Sequence, residues 1–365
     1  MRWIKSTRRK GSLNKRIKRN SHAPNNVCAD DFEKIKVLGK GTYGTVILVR
    51  HKPTGKLYAQ KQLKKATVCV SKRLVGQTMS ERAILEAVRH PFIVNLYYAF
   101  QDHEKLYLIL EYAQGGELFW HLAQHRTFTE PMAAFYLACL ALALHHLHTK
   151  CGVVYRDLKP ENCLLDHEGY LLLTDFGLSK IATDDNRCTS LTGTPEYMAP
   201  EVIREEEYDH AVDWWALGTL MYDLLTGGTP FVANNATAIR NNVLKKKVMM
   251  PYYLSADAKS LLKGLLDRNP KKRLGANLKT DFEKIKKHRF FRTVDWKKLE
   301  RRELKPPIRP TITDPAAAEN FSCDFTKLGF SVGPLGPDSP LYVTEEGDAM
   351  FGGFSYKAPG EFFRH

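Results

Sequence analysis

The chain has 365 residues, 43% of them hydrophobic and 26% charged, a length and balance that allow one big domain or two lobes and exclude disorder throughout. Its formal charge of +15 reads as a nucleic-acid signal until it is located. Nine Lys and Arg and no acid fall within residues 1–20, so the remainder, with 46 basic against 40 acidic residues, nets only +6.

Those charges lie in an arm, residues 1–31, expected to be solvated and disordered, with contact to nucleic acid or an anionic membrane left open. No run is apolar enough over roughly 18 residues to cross a membrane, and no apolar segment follows the basic start as in a secretion signal. The expectation is a cytoplasmic protein, with the nucleus also open. Seven cysteines (Cys28, Cys69, Cys139, Cys151, Cys163, Cys188, Cys323) are odd in number and never spaced C-x-x-C. They are expected to be buried free thiols, with neither a disulfide framework nor a structural metal.

Residues 32–63 predict three strands in an antiparallel meander, 35–38, 46–49 and 57–61. The turn between the first two is Gly39-Lys40-Gly41-Thr42-Tyr43-Gly44-Thr45, followed by Val46, and Lys61 lies fifteen positions beyond that valine. Glycine lets a backbone come close to phosphate oxygens, and a lysine supplies positive charge for them. The same spacing serves dinucleotide-binding folds, but there a helix follows the loop, and here a strand does. A helix is expected over 78–88, with Ile84, Leu85 and Val88 on one face and Glu81 on an adjoining one, ended by His90-Pro91. Strands follow at 94–100 and 106–110. After a connector with a glycine pair at 111–116 come helices at 133–147 and 211–225, too apolar for a surface and therefore core-forming. His145, His146 and His148 read as helix-end residues and not as ligands. Beyond Phe291, Pro306, Pro307 and Pro310 open a stretch expected to be extended or poorly ordered, with isolated aromatic anchors.

Two further motifs carry chemistry: Tyr155-Arg156-Asp157-Leu158-Lys159-Pro160-Glu161-Asn162, and Asp175-Phe176-Gly177. A hydroxyl attacking phosphorus needs a carboxylate to orient it and take its proton, and Mg²⁺ needs hard oxygen ligands. Asp157, Asn162 and Asp175 fit those needs.

In this order, after the glycine loop and Lys61, the motifs resemble the eukaryotic protein kinases over residues 32–291. The resemblance implies an α+β, bilobal fold with an antiparallel sheet lobe bearing one main helix, a mainly helical lobe, and a regulatory extension at 292–365. It implies ATP and Mg²⁺ as cofactors, with Lys61 on the α/β-phosphates, Glu81 as its ion-pair partner, Asp157 as catalytic base, Lys159 on the transferred phosphate, and Asn162 and Asp175 as metal ligands. ATP contacts are implied for Leu38, Gly39, Lys40, Gly41, Thr42, Tyr43, Gly44, Val46, Ala59, Leu110, Glu111, Ala113, Glu117 and Leu164. Lys159, with Thr194 before Pro195, resembles the pattern specific for Ser or Thr acceptors. Glu117, Glu161 and Asp223 match carboxylates that hold arginines upstream of the acceptor, so basic protein substrates are implied. Leu191, Pro195 and Met198 match an apolar pocket for the following residue.

Tyr155 in place of the commoner histidine, and Asp213-Trp214-Trp215-Ala216-Leu217-Gly218, resemble the group that holds the cyclic-nucleotide-dependent, protein-kinase-B and ribosomal S-six kinases. Asp338-Ser339-Pro340 looks like that group's turn motif. Phe351-Gly352-Gly353-Phe354-Ser355-Tyr356, with Ala358-Pro359 after it, looks like the hydrophobic motif of the ribosomal S-six branch. The resemblance implies regulatory phosphorylation by upstream kinases at Ser339, Ser355 and Ser190, with Thr189 or Thr192 competing for the last, a monomer, and a role in growth or nutrient signalling. Phe351, Phe354 and Tyr356 are too few to fold alone and should bury near the Glu81 helix, a docking that phosphate on Ser355 would favour. A pseudokinase scaffold is the alternative; it would be favoured by loss of Lys61, Asp157, Asn162 or Asp175, and none is lost.

Overall fold

The computed structural model describes residues 27–41, 44–181, 188, 190–330 and 349–360. The arm up to residue 26, Thr42, Tyr43, Thr189 and the motif around Ser339 lie outside the described residues. The chain divides into two compact units: one takes residues up to Arg89, Asn95–Tyr112 and residues from Thr313 on, and the other takes His90–Val94 and Ala113–Ile312.

The first unit is an antiparallel sheet. Strands β1 (Phe32–Lys40), β2 (Gly44–His51), β3 (Leu57–Lys64), β4 (Leu96–Gln101) and β5 (Lys105–Leu110) lie in the order β1-β2-β3-β5-β4, and a two-residue tail strand, Tyr356–Lys357, pairs with the β4 edge. The meander forms as the alternation predicts, and its strands run a few residues longer. Phe32, Ile47, Val49, Tyr58, Tyr98, Phe100, Tyr107 and Ile109 form an aromatic-rich cluster, in which Phe100 stacks on Phe32 at 5.8 Å and on Tyr107 at 4.9 Å between centroids. Such ring pairs add to the burial energy of their area. A second cluster holds Leu38, Leu48, Tyr112 and Ala318, with Val46, Ala59 and Phe321 against it.

Helix α1 spans Lys72–Ala87 and begins six residues before the sequence expectation. Ser71 caps it, its Oγ accepting from the Arg73 N–H. The early turns, Lys72, Arg73, Gly76 and Gln77, have no apolar periodicity to announce them, so only the cap marks the start. Val88, expected as the last helical residue, is already extended, so the helix ends one residue earlier, at Ala87.

In the second unit, helix α2 is Leu118–His125, α3 is Glu130–His146, α4 is Ala211–Thr226, α5 is Ala236–Lys245 and α6 is Ala256–Leu265. Residues 133–144 of α3 are buried in an unbroken row. With the π turn that follows it, this helix, Glu130–Cys151, is long and apolar enough to cross a membrane, which corrects the expectation that no such run exists; its apolar window is 78% buried inside the protein. It is a core helix. Trp214 and Trp215 of α4 are fully buried, and a Cβ at Gly275 (φ +104) would sit 2.3 Å from the Trp214 ring. No other residue fits there. A bidentate pair between Glu201 and Arg273, at 2.6 and 2.9 Å, is also fully buried.

Of the stretch after Phe291, residues 302–310 are tied down more firmly than expected. Arg302 donates to Asp166 and, at 3.2 Å, to Glu168, and its guanidinium lies 4.6 Å from the Tyr170 ring centre. The Tyr170 hydroxyl donates to the Leu304 carbonyl, and the Ile308 N–H donates to the Tyr136 hydroxyl. Of the cysteines, all free, Cys139, Cys151, Cys163 and Cys188 are buried as expected, whereas Cys28 and Cys323 are exposed and Cys69 is half-buried.

Candidate active site

In the sheet unit Lys61 sits on the central strand β3, opposite Val46 of β2 and Leu108 of β5. Its Nζ donates to Glu81 Oε1 of α1 at 2.7 Å, and the Glu81 side chain is only 4% exposed. A carboxylate taken that far from water needs such a partner. A Cβ at Gly44 would lie 2.0 Å from the Gln62 carbonyl oxygen, while nothing stands within 4 Å of one at Gly39 or Gly41. The last glycine of the loop therefore serves the β2–β3 packing, and the first two leave open backbone of the kind a phosphate group can approach. Leu38, Val46 and Ala59 belong to one apolar cluster, as the floor under an adenine would require.

The C-terminal motif docks on this unit. Phe351 and Phe354 are fully buried; Gln101 donates to the Phe351 carbonyl at 3.1 Å, and the Lys65 ammonium lies 5.7 Å from the Phe351 ring centre. Arg82, next to Glu81 on α1, donates to the carbonyls of Phe354 (3.0 Å) and Ser355 (3.1 Å) and pairs with Glu86 at 2.6 Å. Burial holds its pKa below the usual arginine value. Arg89 donates to the Tyr356 hydroxyl at 2.7 Å, and the Ala358 N–H donates to the Tyr97 carbonyl at 2.8 Å. The Ser355 side chain stays exposed.

In the helical unit the loop 155–162 is held by one carboxylate. Asp213 of α4 accepts from the Tyr155 N–H (2.9 Å), the Arg156 N–H (2.8 Å) and His148 Nε2 (2.7 Å). Arg156 is left-handed at φ +70, a strained conformation for a side chain with a Cβ, and the paired N–H bonds fix it. His148 lies in the turn that ends the helix, as expected, and is buried there as a partner of Asp213. Asn162 donates through Nδ2 to both the carbonyl and Oδ2 of Asp157, each at 2.8 Å, and Lys159 Nζ lies 3.4 Å from Asp157 Oδ2 and 3.4 Å from Thr194 Oγ1. Burial pushes the Asp157 carboxyl up, and Lys159 and Asn162 pull it back.

The hairpin of Cys163–Leu165 with Leu171–Leu173 brings Asn162 and Asp175 to one end: the Thr174 N–H donates to the Asn162 carbonyl at 2.9 Å. Because Asn162 spends its amide nitrogen on Asp157, its amide oxygen points the other way. That oxygen and the Asp175 carboxylate are the hard donors Mg²⁺ prefers, so the residues fit the metal. Phe176 is fully buried and meets Tyr155 edge-on at 5.3 Å. The Tyr155 hydroxyl donates to the Thr174 carbonyl.

Ser190 Oγ lies 3.3 Å from Arg156 Nη1 and 3.0 Å from Thr192 Oγ1, and the Tyr208 hydroxyl donates to the Ser190 carbonyl at 2.9 Å. Tyr208 was not foreseen; no local pattern marks it. Among the acidic residues, Glu117 pairs with Leu164 on a short ladder; burial and then the charge of Glu161 raise its pKa. Burial raises Asp223 too, opposed by the bond from the Tyr197 hydroxyl (2.6 Å) and reinforced by Glu161. Three carboxylates whose charges feel one another make a region that attracts cations. Of the apolar trio, Leu191 is exposed and Pro195 half-buried, whereas Met198 is turned inward, beside Val202 and Val212. Ala113 is buried, Leu110 half-buried, and Glu111 accepts from Asn95 Nδ2 at 2.8 Å. Among the described residues no three His, Cys, Asp or Glu converge as a metal cluster.

Residues 32–291 match the family described as protein kinase domain, and the chain belongs to that family, whose cofactors are ATP and Mg²⁺. Within it the chain falls in the ribosomal S6 kinase branch of the AGC group. It is 49% identical over 331 residues to Ribosomal protein S6 kinase alpha-2 of Mus musculus and 48% identical over 334 residues to Ribosomal protein S6 kinase alpha-1 of Homo sapiens, covering 90% of this chain and 44% of each relative. Ribosomal protein S6 kinase beta of Caenorhabditis elegans is 46% identical over 334 residues, 90% of this chain and 60% of that protein. The chain thus spans about half the length of the curated relatives it matches.

Proposed function

We propose that the chain is a serine/threonine protein kinase that transfers the γ-phosphate of ATP to basic, arginine-directed protein substrates. The observation that carries this reading is Asp157, held through Asn162 at 2.8 Å and flanked by Lys159, in a chain that also keeps the Lys61–Glu81 pair at 2.7 Å. Asp157 accepts the proton of the attacking hydroxyl, and its burial makes it a better base than a free carboxylate. Lys159 offsets charge on the phosphoryl group in flight, Lys61 orients the nucleotide phosphates, and Glu81 holds Lys61. Asn162 and Asp175 would hold Mg²⁺, which when bound would supply positive charge to the transferring phosphate. Glu117, Glu161 and Asp223 receive substrate arginines.

Activity is set by phosphorylation at Ser190, which Arg156 would hold, and at Ser355 and Ser339, by upstream kinases. The role we assign is one in growth or nutrient signalling, in a monomeric, cytoplasmic protein. The test is radiolabelled phosphate transfer to a degenerate peptide library by wild type and Asp175→Ala. Labelling by wild type alone, enriched in peptides with upstream arginine, is the expected result. Equal labelling by both proteins, or none even by protein phosphorylated on Ser190, would sink the reading.

A further inference from the structure

Residues 246–255, between α5 and α6, form no regular element, yet side chains beneath fasten them at several points. Arg268 donates to the carbonyls of Val243 (2.8 Å) and Lys246, Tyr222 donates through its hydroxyl to the Met249 carbonyl (2.9 Å), and Lys259 donates to the Tyr252 carbonyl (3.1 Å). At the far end Glu130 accepts from the N–H and the hydroxyl of Ser255, both at 2.8 Å. With several carbonyls tied down and Leu254 buried, the segment holds Met249, Tyr252 and Tyr253 outward. Tyr252 is 93% exposed, Met249 68% and Tyr253 57%, and Lys245, Lys246 and Lys247 are all exposed beside them. An ordered loop that holds two tyrosines and a methionine in water gains nothing for the fold from them, and contiguous exposed apolar side chains of this kind mark contact surfaces.

We propose that this loop is a docking surface for an acidic segment of a partner protein that carries apolar side chains. The charge argues for the occupant. From Leu224 to Ala256 the sequence has no acidic residue, while Arg240 and the three lysines are basic. The sign is opposite to that of the Glu117, Glu161 and Asp223 carboxylates, so a basic acceptor sequence is repelled here and an acidic one is drawn in. The apolar chemistry argues for protein over nucleic acid. Tyr252 and Tyr253 meet edge to face, at 5.6 Å and 80°, so they do not present two parallel faces for successive bases, and the thioether of Met249 suits aliphatic and aromatic side chains. The inference does not depend on the proposed kinase activity.

The probe is a fluorescent peptide in which Glu and Asp alternate with Leu and Phe, titrated against the full chain by anisotropy. Binding should weaken at least about tenfold in the variant Lys245→Glu/Lys246→Glu/Lys247→Glu and by a similar factor in Tyr252→Ser/Tyr253→Ser, as loss of charge steering and of aromatic anchors each requires. Both variants should phosphorylate a short arginine-directed peptide as wild type does. Wild-type affinity in either variant overturns the proposal, in the tyrosine variant because only unspecific charge attraction is then left, and tighter binding of an oligouridine or of phosphatidylserine vesicles at the same residues would make the partner class wrong.

Discussion

The C-terminal extension is held at two places by opposite physics. On the helical unit, residues 302–310 are lashed by charge and polar bonds: Arg302 on Asp166 and Glu168, the Tyr170 hydroxyl on Leu304, and Ile308 on Tyr136. On the sheet unit, residues 351–358 are held by two fully buried phenylalanines and a short strand. The first hold involves Asp166, 4% exposed, whose carboxylate also accepts from the N–H groups of Glu168, Gly169 and Tyr170; releasing it would strand buried polar groups, so it behaves as part of the fold. The second leaves Ser355 exposed among its anchors and rests chiefly on area burial; the arginines that also bond it, Arg82 and Arg89, keep Glu86 and the Leu85 and Val88 carbonyls as partners when the tail detaches. A tether built that way can be set by a modification.

The largest test of this contrast is Phe351→Ala/Phe354→Ala. Removing two side chains each worth about 1.5–3 kcal/mol of burial should undock the motif. Hydrogen exchange should then show loss of protection at the Ala358 amide and weakened protection along β4, and peptide phosphorylation should fall at least about tenfold while the helical unit unfolds at its usual denaturant midpoint. Next comes Asp166→Ala, expected to cost about 3 kcal/mol because it removes one of the two carboxylates that hold Arg302 and takes the carboxylate acceptor from three N–H groups; urea unfolding reads it, and a loss confined to the 302–310 strap would contradict the assignment of that strap to the fold. Arg82→Ala should be milder, about 1–2 kcal/mol for two hydrogen bonds to the tail, seen as faster exchange at Tyr356–Lys357 with α1 still folded.

The smallest effect separates the units by pH. His145, stacked on Phe282 at 3.9 Å, has its pKa lowered to about 4, chiefly by burial. A histidine depressed in the folded state contributes fully above its unfolded value of about 6.5, and that contribution is lost as pH falls from there toward about 4, since the unfolded chain binds the proton first. The helical unit should lose on the order of 1 kcal/mol more than His145→Gln does between pH 6.5 and 4, whereas docking of Phe351 and Phe354 should show no such difference between the two proteins. Equal pH slopes in urea melts would rule out the histidine as the cause.

What the sequence disclosed follows the range of the interaction. The β1–β3 meander, the Lys61–Glu81 partnership and the aromatic anchors of the tail were legible, because each rests on a local period, a motif or a composition. Asp213 was visible only as part of a run that resembles one kinase group; its hold on the Tyr155 and Arg156 amides joins positions more than fifty residues apart, with no periodicity to expose it. Glu201 with Arg273, Arg302 with Asp166, and Tyr208 with Ser190 were hidden for the same reason. The start of α1 is not marked by a period, because Leu74 and Val75, the apolar residues of its first six, are adjacent and not helically spaced. Gly44 was read for phosphate, yet a carbonyl of the neighbouring strand also demands it, which only the β2–β3 register discloses.

Arg156 and Asp175 share one feature, a backbone in the left-handed region at φ +70 and φ +54. Each conformation costs on the order of 1 kcal/mol relative to glycine. At Arg156 the side chain's bonds to Leu178, Ser190 and Tyr208 offset that cost; at Asp175 stability alone would favour glycine, and Asp175→Gly should melt at a higher temperature than wild type while losing the oxygen donors at that place. Screening this chain for thermal robustness would enrich silent enzymes, so any such selection has to score phosphate transfer alongside heat.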